Sequence, residues 1–584
     1  MNTYAIGIVC SILLYLAIGS YAGRKIKHLD DFYVAGRGAS TLLIVGTLIA
    51  SFLSTNAFLG ETGFTYSGYG PVLMIMTAVN SIGYVLGALF FGRYLRRSNV
   101  LTVAEFFGKR FNSQKVQMAA GVTIIVGISA YLLAVTQGVS LVISEVMALP
   151  YTQTLVIVWL GYTLFTLYSG SRGVVITDTI MFLLFTIVAF VALYFIVDAG
   201  GGWNTAIQTL AVYQDKPGII SWHGFVGEGA RWSNAIDAMT WGVTLGISWS
   251  LVLAVSPWQS SRYLMAKNEH TVIRAACVAT GAVLLVYLAL LSAPAIINLS
   301  NANIEPTERA MIWAALNLMP VLPGMLLMAG ITAAGLSSAS TFLSLVGFSA
   351  SHDLSIFKNI PEKKQLLVTR ISILIAGLMV LGIAFFQPPS IMIITYFAGT
   401  LFASSWGPVA FMSVWSKSIT ATAAYWGIIS GFLGNIIPKL LDITGVIDLP
   451  VYLDPFIIAL LLSITTIIVL SRFGRVTDAE KTFLEKIHVT PGTEISAELL
   501  KTSLRICNYM LVAGLGVMVL LWFFYITPYH EALVKQHGSI EALSITTLLF
   551  SGEFLQCLLY SSPLIFASLI ARVSLVRSYR HLNK

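Results

Sequence analysis

The chain has 584 residues, of which 57% are hydrophobic and only 10% are charged, whereas soluble proteins carry about 25% charged residues. Apolar runs of ~20 residues, long enough to cross a bilayer, recur along the whole chain. This composition excludes a soluble globular protein and predicts a polytopic membrane protein. The formal net charge of +8 is explained by basic residues in cytoplasmic loops rather than by a nucleic-acid surface.

Fifteen apolar segments are predicted to cross the membrane as helices. Gly83 and Gly87, in the third of them, form a GxxxG pattern, which predicts close helix packing inside the protein rather than a dimer face. In chain order the segments are 3–22, 41–67, 71–94, 117–144, 152–168, 174–198, 236–257, 272–297, 322–351, 367–387, 391–415, 418–440, 452–471, 504–526 and 547–571.

Two stretches between these segments are predicted to be exposed to water. Residues 199–235 are rich in glycine and aromatic residues and are predicted to form an outer cap. Residues 472–503 contain the sequence TDAEKTFLEKIH, in which Thr477 and Glu480 have the spacing of a capping box. This spacing predicts a short amphipathic helix on the cytoplasmic side.

The distribution of basic residues predicts the orientation, because cytoplasmic loops of membrane proteins collect Lys and Arg. An outside N-terminus and a cytoplasmic C-terminus place most basic residues inside, and the long loop 199–235 then carries only Lys216 and Arg231. A plasma (inner) membrane protein with this topology is predicted. The inner residues are Arg24, Lys25, Lys27, Arg37, Arg93, Arg96, Arg97, Lys109, Arg110, Lys115, Arg262, Lys267, Arg274, Lys358, Lys363, Lys364, Arg572, Arg577, Arg580 and Lys584.

The segment ITAAGLSSASTF, residues 331–342, carries a cluster of hydroxyl side chains inside an apolar helix. Ser337, Ser340 and Thr341 share one helix face, and Ser338 lies about 100° away from it. Two interpretations are open. The hydroxyls either bond back to their own helix and allow close packing, or they bind a cation.

A cation site needs more oxygens than these hydroxyls supply, because a small hard cation takes about six. Membrane helices offer free backbone carbonyls only where they are broken and line a cavity. In the sequence IASFLSTNAFLGETGF, residues 49–64, an apolar run is interrupted by four polar residues, Ser51, Ser54, Thr55 and Asn56. A helix break there, facing residues 331–342, predicts an oxygen cage.

Asp178 lies in the apolar sequence SGSRGVVITDTIMFLLF. A carboxylate that faced lipid there would cost several kcal/mol, so Asp178 is predicted to face the protein interior and to have a partner. It is either protonated and hydrogen-bonded across helices, or a cation ligand or proton carrier. Glu61, Glu145 and Glu553 are weaker candidates for such roles.

Five motifs together make the chain resemble the sodium/solute symporter family. They are DDFYVAGRG (30–38), TVAEFFGKRF (102–111), ITD (176–178), QSSRYLMAK (259–267) and AAGLSSAST (333–341). Each motif alone is loose, but the ordered set is specific and covers roughly residues 25–415.

The resemblance implies an all-α membrane protein of the leucine-transporter type, with two inverted five-helix repeats and extra helices at both ends. The implied parts are an N-terminal helix and inner loop (1–40), the first repeat (41–200), an outer loop (201–235), the second repeat (236–415), accessory helices (416–471), a cytoplasmic linker (472–503) and C-terminal accessory helices with the tail (504–584).

The resemblance also implies sodium-coupled transport, with Na⁺ as a co-transported ligand rather than a resident cofactor. The family's common sodium site falls on the backbone oxygens of Ala50, Leu53 and Ala334 and the hydroxyls of Ser337 and Ser338. A further site in some members falls on Asp178, Ser337, Ser340 and Thr341. One or two sodium ions per cycle are therefore expected.

Substrate is expected at mid-membrane beside the broken helix. The solute is expected to be small and organic, such as a monocarboxylate or an amino-acid derivative. The residue pattern of the sugar-transporting members of the family is absent at Asn56, and that of the proline-transporting members is absent at Phe52. Arg262 is expected at the inner end of the membrane, and therefore not as the residue that binds a substrate carboxylate. The candidate substrate residues are Phe52, Thr55, Asn56, Asn80, Gln137, Trp249 and Ser404.

Alternatives from other classes differ in what they require. A haem or metal enzyme would need ligands inside the membrane, whereas all eight histidines fall in loops or at helix ends of the predicted segments. A non-enzymatic carrier is therefore expected, acting as a monomer. A proton-coupled carrier, a passive carrier of the same fold and a substrate-sensing receptor remain open.

Overall fold

The computed structural model describes residues 3–24, 26, 28–354, 361–386, 391–537 and 545–580. Apart from an isolated bridge between Ala39 and Ala266, the regular structure of these residues is helical. Four of the basic residues assigned to the inner side, Lys25, Lys27, Lys358 and Lys584, lie outside the described residues.

The described helices, with short 3₁₀ and π turns beside or within them, succeed one another as follows. They are α1 (Thr3–Gly23), α2 (Leu29–Val34), α3 (Thr41–Ala50), α4 (Asn56–Arg97), α5 (Val103–Arg110), α6 (Gln114–Met147), α7 (Tyr151–Ala199), α8 (Trp203–Ala211), α9 (Ala235–Val255), α10 (Pro257–Met265), α11 (Glu269–Ile297), α12 (Ala310–Asn317), α13 (Val321–Phe348), α14 (Glu362–Phe386), α15 (Ile391–Trp415), α16 (Ala421–Ile443), α17 (Pro455–Phe473), α18 (Asp478–His488), α19 (Ala497–Leu521), α20 (Thr527–His537), α21 (Ile545–Leu549) and α22 (Gly552–Ser578).

Eleven helical segments among the described residues are long and apolar enough to cross a membrane, which confirms a polytopic membrane protein. Burial separates the centre of the bundle from its periphery. In α4, 78% of the most apolar window is buried, whereas the segment Ala497–Gln536 has only 11% buried. The helix break and the hydroxyl-rich helix α13 therefore lie in the centre, and the C-terminal helices lie outside it.

Each of the fifteen predicted segments overlaps a described helix, but the divisions differ in three places, one of which is segment 547–571, which spans parts of α21 and α22. Segments 152–168 and 174–198 form the single run α7, which is kinked at Gly170, where φ is 50° and ψ is −158°. Segment 41–67 is divided into α3 and the beginning of α4. Gly68 interrupts α4 with φ 110°, and its carbonyl accepts from Phe225 N at 2.8 Å, so loop 201–235 packs on this end of α4.

The prediction from Gly83 and Gly87 is confirmed. A Cβ atom on Gly83 would lie 2.2 Å from Ser250 O, and one on Gly87 would lie 2.6 Å from Ala254 Cα. The two glycines therefore let α4 and α9 approach to backbone contact inside the chain.

The predicted helix in the linker is also confirmed. It is α18, and its first turn has the complete capping box. Thr477 N donates to Glu480 Oε2 at 2.6 Å, and Glu480 N donates to Thr477 Oγ1 at 3.4 Å. Two of the free N–H groups at this helix end are thereby satisfied.

Candidate functional site

The predicted break lies between α3 and α4, and local hydrogen bonds explain why the helix ends there. Ser51 Oγ donates back to Thr47 O at 2.7 Å, and the N–H groups of Phe52 and Leu53 both turn to Ile49 O. In a continuous helix Ser54 N would donate to Ala50 O. It donates to Phe52 O instead, at 2.9 Å, and so leaves the Ala50 carbonyl without a helical partner.

The Ala50 carbonyl meets the hydroxyl cluster of α13. Ser338 Oγ donates to Ala50 O at 3.1 Å, and both residues are fully buried. Close contact also holds the two elements together, because a Cβ atom on Gly335 would lie 2.7 Å from Thr55 Cγ2. A backbone oxygen of the break and a serine hydroxyl of residues 331–342 therefore share one buried position.

The remaining residues of the predicted sodium site lie next to this contact in the chain. Leu53 belongs to the break, and Ala334 lies one helix turn before Ser338 in α13. Leu53, Ala334 and Ser337 are all fully buried. The structure thus brings Ala50 and Ser338 into direct contact, while the roles of Leu53, Ala334 and Ser337 as sodium ligands remain predictions.

Asp178 faces the protein interior, as predicted, and lies in a buried polar cluster on α7. Its two carboxylate oxygens accept from the hydroxyls of Thr47 and Ser337. Arg262 Nη2 lies 3.4 Å from Asp178 Oδ2 and donates to Thr341 Oγ1 at 2.7 Å. The carboxylate is therefore in contact with a guanidinium as well as with the hydroxyl groups expected around a cation.

Arg262 is buried beside a carboxylate, which was not expected from the sequence, while its expected position at the inner end stays a prediction. Its side chain is only 2% exposed, and every residue of α10 is buried. The chain leaves α9 at Ser256, where ψ is 149°, and Pro257 begins a short helix that turns into the protein. A single-sequence count of basic residues cannot detect this turn, because it sees charge but not burial.

The same short helix braces the break. Gln259 Nε2 donates to Leu48 O at 3.3 Å and to Ser51 Oγ at 3.4 Å. The QSSRYLMAK motif thus supplies two buried side chains, Gln259 at the end of α3 and Arg262 at Asp178. The motif was evident from the sequence, but neither contact was.

Three predicted substrate residues come together around the beginning of α4. The ring centroids of Phe52 and Trp249 lie 5.8 Å apart, and Asn56 Nδ2 donates to Glu61 Oε1 at 2.9 Å. Two tyrosines that the sequence analysis missed complete this region. Tyr396 OH donates to the same oxygen of Glu61 at 3.2 Å, and the ring of Tyr287 lies 5.7 Å from that of Phe52.

The other predicted substrate residues are buried in different surroundings. Thr55 packs against Gly138 and Gly335, and Asn80 and Gln137 are fully buried. Ser404 Oγ donates to Thr400 O at 2.9 Å and to Gly431 O at 3.1 Å, and so joins α15 to α16. A substrate role for these four residues remains a prediction.

A cavity of about 250 Å³ borders this region. Tyr396 and Trp241 form part of its wall, together with the charged residues Arg231, Lys439 and Asp454. The guanidinium of Arg231 lies 5.5 Å from the ring of Trp241 and 5.3 Å from that of Trp232. Burial lowers the pKa of Arg231, which still leaves a fixed positive group beside the cavity.

The sequence profile of the sodium:solute symporter family matches residues 32–431, more than half of the chain. The chain belongs to this family, which consists of membrane transporters rather than enzymes. The matched residues include α3, the break, α7, α10 and α13, which are the elements that build the site.

Curated relatives are similar over different lengths. The sodium/pantothenate symporter of Escherichia coli (strain K12) is 27% identical over 209 residues, which are 35% of this chain and 43% of the relative, so the match spans less than half of that relative's length. The sodium/proline symporter of Staphylococcus aureus (strain bovine RF122 / ET3-1) is 22% identical over 452 residues, which are 74% of this chain and 85% of the relative.

A solved structure shares the fold. It is a Na⁺-coupled sialic acid symporter in a substrate-bound outward-open state, with a TM-score of 0.68. The likeness covers 81% of this chain and 98% of that one at 18% sequence identity. The fold of this chain is therefore one already known in a transporter.

Proposed function

We propose that the chain is a secondary active transporter that couples the inward movement of a small organic solute to sodium by alternating access. Membership of the sodium:solute symporter family and the eleven candidate membrane spans among the described residues support this function. The solute class is that expected from the sequence, a monocarboxylate, an amino-acid derivative or a similar molecule.

The contact between Ser338 Oγ and Ala50 O carries the proposal. A sodium ion between these atoms would join the broken helix to α13, with Leu53, Ala334 and Ser337 as the further ligands. It would favour one state of the carrier by its differential affinity for the two states, and substrate beside the break would then select closure. The sodium gradient and the membrane potential, about 2.3 kcal/mol per charge per 100 mV, would drive uphill transport.

In this conformation the guanidinium of Arg262 lies at the second predicted cation site. Arg262 already contacts Asp178 and Thr341, two of its four proposed ligands. A cation that binds Asp178, Ser337, Ser340 and Thr341 would therefore have to displace the guanidinium. We infer that sodium binds first at Ser338 and that a second ion requires Arg262 to move.

The architecture proposed with this function has about fifteen membrane-crossing segments and two inverted five-helix repeats, residues 41–200 and 236–415. The remaining helices, residues 1–40, 416–471 and 504–584, are accessory, and residues 201–235 and 472–503 form the outer loop and the cytoplasmic linker. The N-terminus lies outside and the C-terminus in the cytoplasm, as the basic residues indicate. The transporter acts as a monomer.

Proton coupling is the second candidate function, and one observation favours it. Asp178 is a fully buried carboxylate that accepts from Thr47 and Ser337, and a proton could neutralise it in place of a cation in a state in which Arg262 has moved away. A passive carrier and a substrate-sensing receptor have no comparable observation in their favour.

The test is the thermal stability of the purified protein in sodium, potassium and lithium, because a ligand that binds the folded state raises the melting temperature by mass action. We expect sodium-selective stabilisation that is lost in Ser338→Ala. Ser344→Ala is the matched control, since Ser344 is a buried serine on the same helix whose hydroxyl donates back within that helix, to Ser340 O at 2.7 Å. Equal melting temperatures in all three salts would contradict sodium coupling and favour proton coupling or a passive carrier.

A further inference from the structure

Glu61 is a buried carboxylate that its surroundings leave partly unpaired. The residue is 3% exposed and lies in α4, directly after the break. One oxygen accepts from Asn56 and Tyr396, whereas Oε2 is buried and has no hydrogen-bond partner within the described residues. Among the described residues, no Lys, Arg or His lies within ion-pair distance of Glu61. A buried carboxylate without a counter-charge is costly, so this position is suited to a cationic ligand group.

Four aromatic side chains pack together beside this carboxylate. Phe52 lies 5.8 Å from Trp249 and 5.7 Å from Tyr287, and Trp249 lies 5.6 Å from Tyr396. Tyr396 donates its hydroxyl to Glu61 Oε1 at 3.2 Å and so joins these rings to the carboxylate. We define Phe52, Trp249, Tyr287, Tyr396 and Glu61 as the aromatic–carboxylate site. Carboxylate oxygens accept hydrogen bonds from ammonium groups and aromatic rings attract cations, so this site is suited to an ammonium group.

We propose that the aromatic–carboxylate site binds the ammonium group of the transported solute through Glu61. This inference rests on the proposed function and narrows its substrate class to amino compounds. A monocarboxylate without an amino group would place a second negative charge beside Glu61 and leave Oε2 unpaired.

The same site indicates which other polar groups the solute has besides its ammonium group. Trp249 Nε1 is a buried donor without a hydrogen-bond partner in the described residues, so it requires an acceptor. Arg231, Lys439 and Asp454 line the adjoining cavity, and Lys439 is paired with Asp442 at 3.2 Å. Arg231 has no ion-pair partner among the described residues, and this positive charge disfavours a simple amine and favours a zwitterion. The solute is therefore a small amino acid or a related zwitterion, with its ammonium group at Glu61 and its acceptor group towards Trp249.

The test uses the full chain reconstituted in liposomes, with sodium-dependent uptake of radiolabelled solute as the readout. The probes are matched sets of equal carbon number: amino acids such as β-alanine, the monocarboxylates without the amino group such as propionate, and the amines without the carboxylate such as propylamine. We expect uptake of members of the amino-acid set alone. Sodium-dependent uptake of a monocarboxylate, or no uptake of any amino acid in the panel, would overturn the proposal.

Variants test the role of Glu61. Glu61→Gln keeps the shape and removes the charge, and we expect KM for the active amino acid to rise about tenfold or more, as expected for the loss of a hydrogen bond to a charged group. Trp249→Phe keeps a ring and removes the N–H donor, and we expect a smaller rise. Glu145→Gln is the matched control, because Glu145 is a partly exposed glutamate that pairs with Arg309 outside this site. Unchanged KM in both Glu61→Gln and Trp249→Phe would overturn the proposal.

Sodium-dependent thermal stabilisation separates this inference from the function on which it rests. We expect Glu61→Gln to keep that stabilisation, which shows that the variant is folded and that its sodium site is intact. If the variant does not fold, Glu61→Asp and Trp249→Phe supply the KM comparison. If sodium does not stabilise the wild-type protein, sodium-coupled symport itself is contradicted.

Discussion

The hydroxyl side chains of residues 337–341 have four different partners. Ser337 donates to Asp178, and Ser338 donates to Ala50 O across to the break. Ser340 bonds within its own helix, to Ser337 O, and Thr341 accepts from Arg262. Each of the two interpretations that the sequence left open therefore describes part of the cluster. The residue types predicted a polar site, but they could not assign a partner to each hydroxyl.

Replacement of Arg262 tests the buried ion pair. Arg262→Gln leaves Asp178 buried without its counter-charge, and breaking such a pair costs about 3–5 kcal/mol. We expect a large fall in the melting temperature and a partial recovery in the double variant Arg262→Gln/Asp178→Asn. The control is Arg172→Gln, whose pair with Asp31 is more exposed, with 35% of the arginine side chain accessible, and contributes about 1 kcal/mol or less. A double variant no more stable than Arg262→Gln would contradict this account.

Glu105, which lies outside the membrane spans, makes a pH-dependent contribution to the stability of the folded protein. Burial by itself would raise the pKa of this carboxyl, but His352, Lys109 and the Leu101 N–H together lower it from 4.5 to about 2. A carboxyl with a lowered pKa in the folded state stabilises the protein above its ordinary pKa, and this contribution is lost as the pH falls towards 2.

We therefore expect the melting temperature of the wild-type protein to fall between about pH 4.5 and pH 2 more steeply than that of Glu105→Gln. Thermal unfolding across this range, with both proteins in the same buffers, measures the difference. Parallel curves would show that Glu105 contributes nothing to the acid sensitivity.

Among the elements, close packing at Gly83 and Gly87 followed from the sequence, because small residues four apart allow close packing whatever the partner helix is, but the partner α9 did not. The break between α3 and α4 was also visible, since polar residues interrupt an apolar run there. The burial of α10 and the positions of Tyr287 and Tyr396 could not be predicted from the sequence, because they depend on how helices far apart in the chain meet.

The α4–α9 contact is tested by the addition of one methyl group. A Cβ atom on Gly83 would meet the backbone of Ser250, which cannot give way cheaply, so we expect Gly83→Ala to destabilise the protein by about 1–3 kcal/mol. Gly382→Ala, in α14, is the matched control, because nothing lies within 4 Å of its added Cβ atom. Equal melting temperatures for the two variants would contradict close packing at Gly83.

For the whole molecule, the C-terminal helices connect the two ends of the bundle. At one end, Glu269 at the start of α11 forms an ion pair with Arg97 and accepts from Tyr579 OH, just after α22. At the other end, Ser221 and Tyr529 join loop 201–235 to α20 through a hydrogen bond of 2.7 Å. No function for these helices was evident from the sequence, and their contacts indicate that they brace parts of the family core.

The contact at Tyr579 tests this bracing. Tyr579→Phe removes one donor from the buried carboxylate of Glu269, and we expect a loss of about 1–3 kcal/mol of stability. Tyr4→Phe is the control, since the Tyr4 hydroxyl makes a long contact of 3.5 Å with Ala315 O. An effect of Tyr579→Phe no larger than that of the control would show that the brace does not depend on this hydroxyl.

The contacts of Ser338 and Arg262 have a consequence for the unloaded protein. The serine hydroxyl satisfies the Ala50 carbonyl where sodium is proposed to bind, and the guanidinium neutralises Asp178 without any ion. In the proposed cycle these two positions can therefore reorient empty without carrying net charge across the bilayer. The electrical work at these two positions then belongs to the sodium-loaded step, and we expect voltage to change the rate of that step.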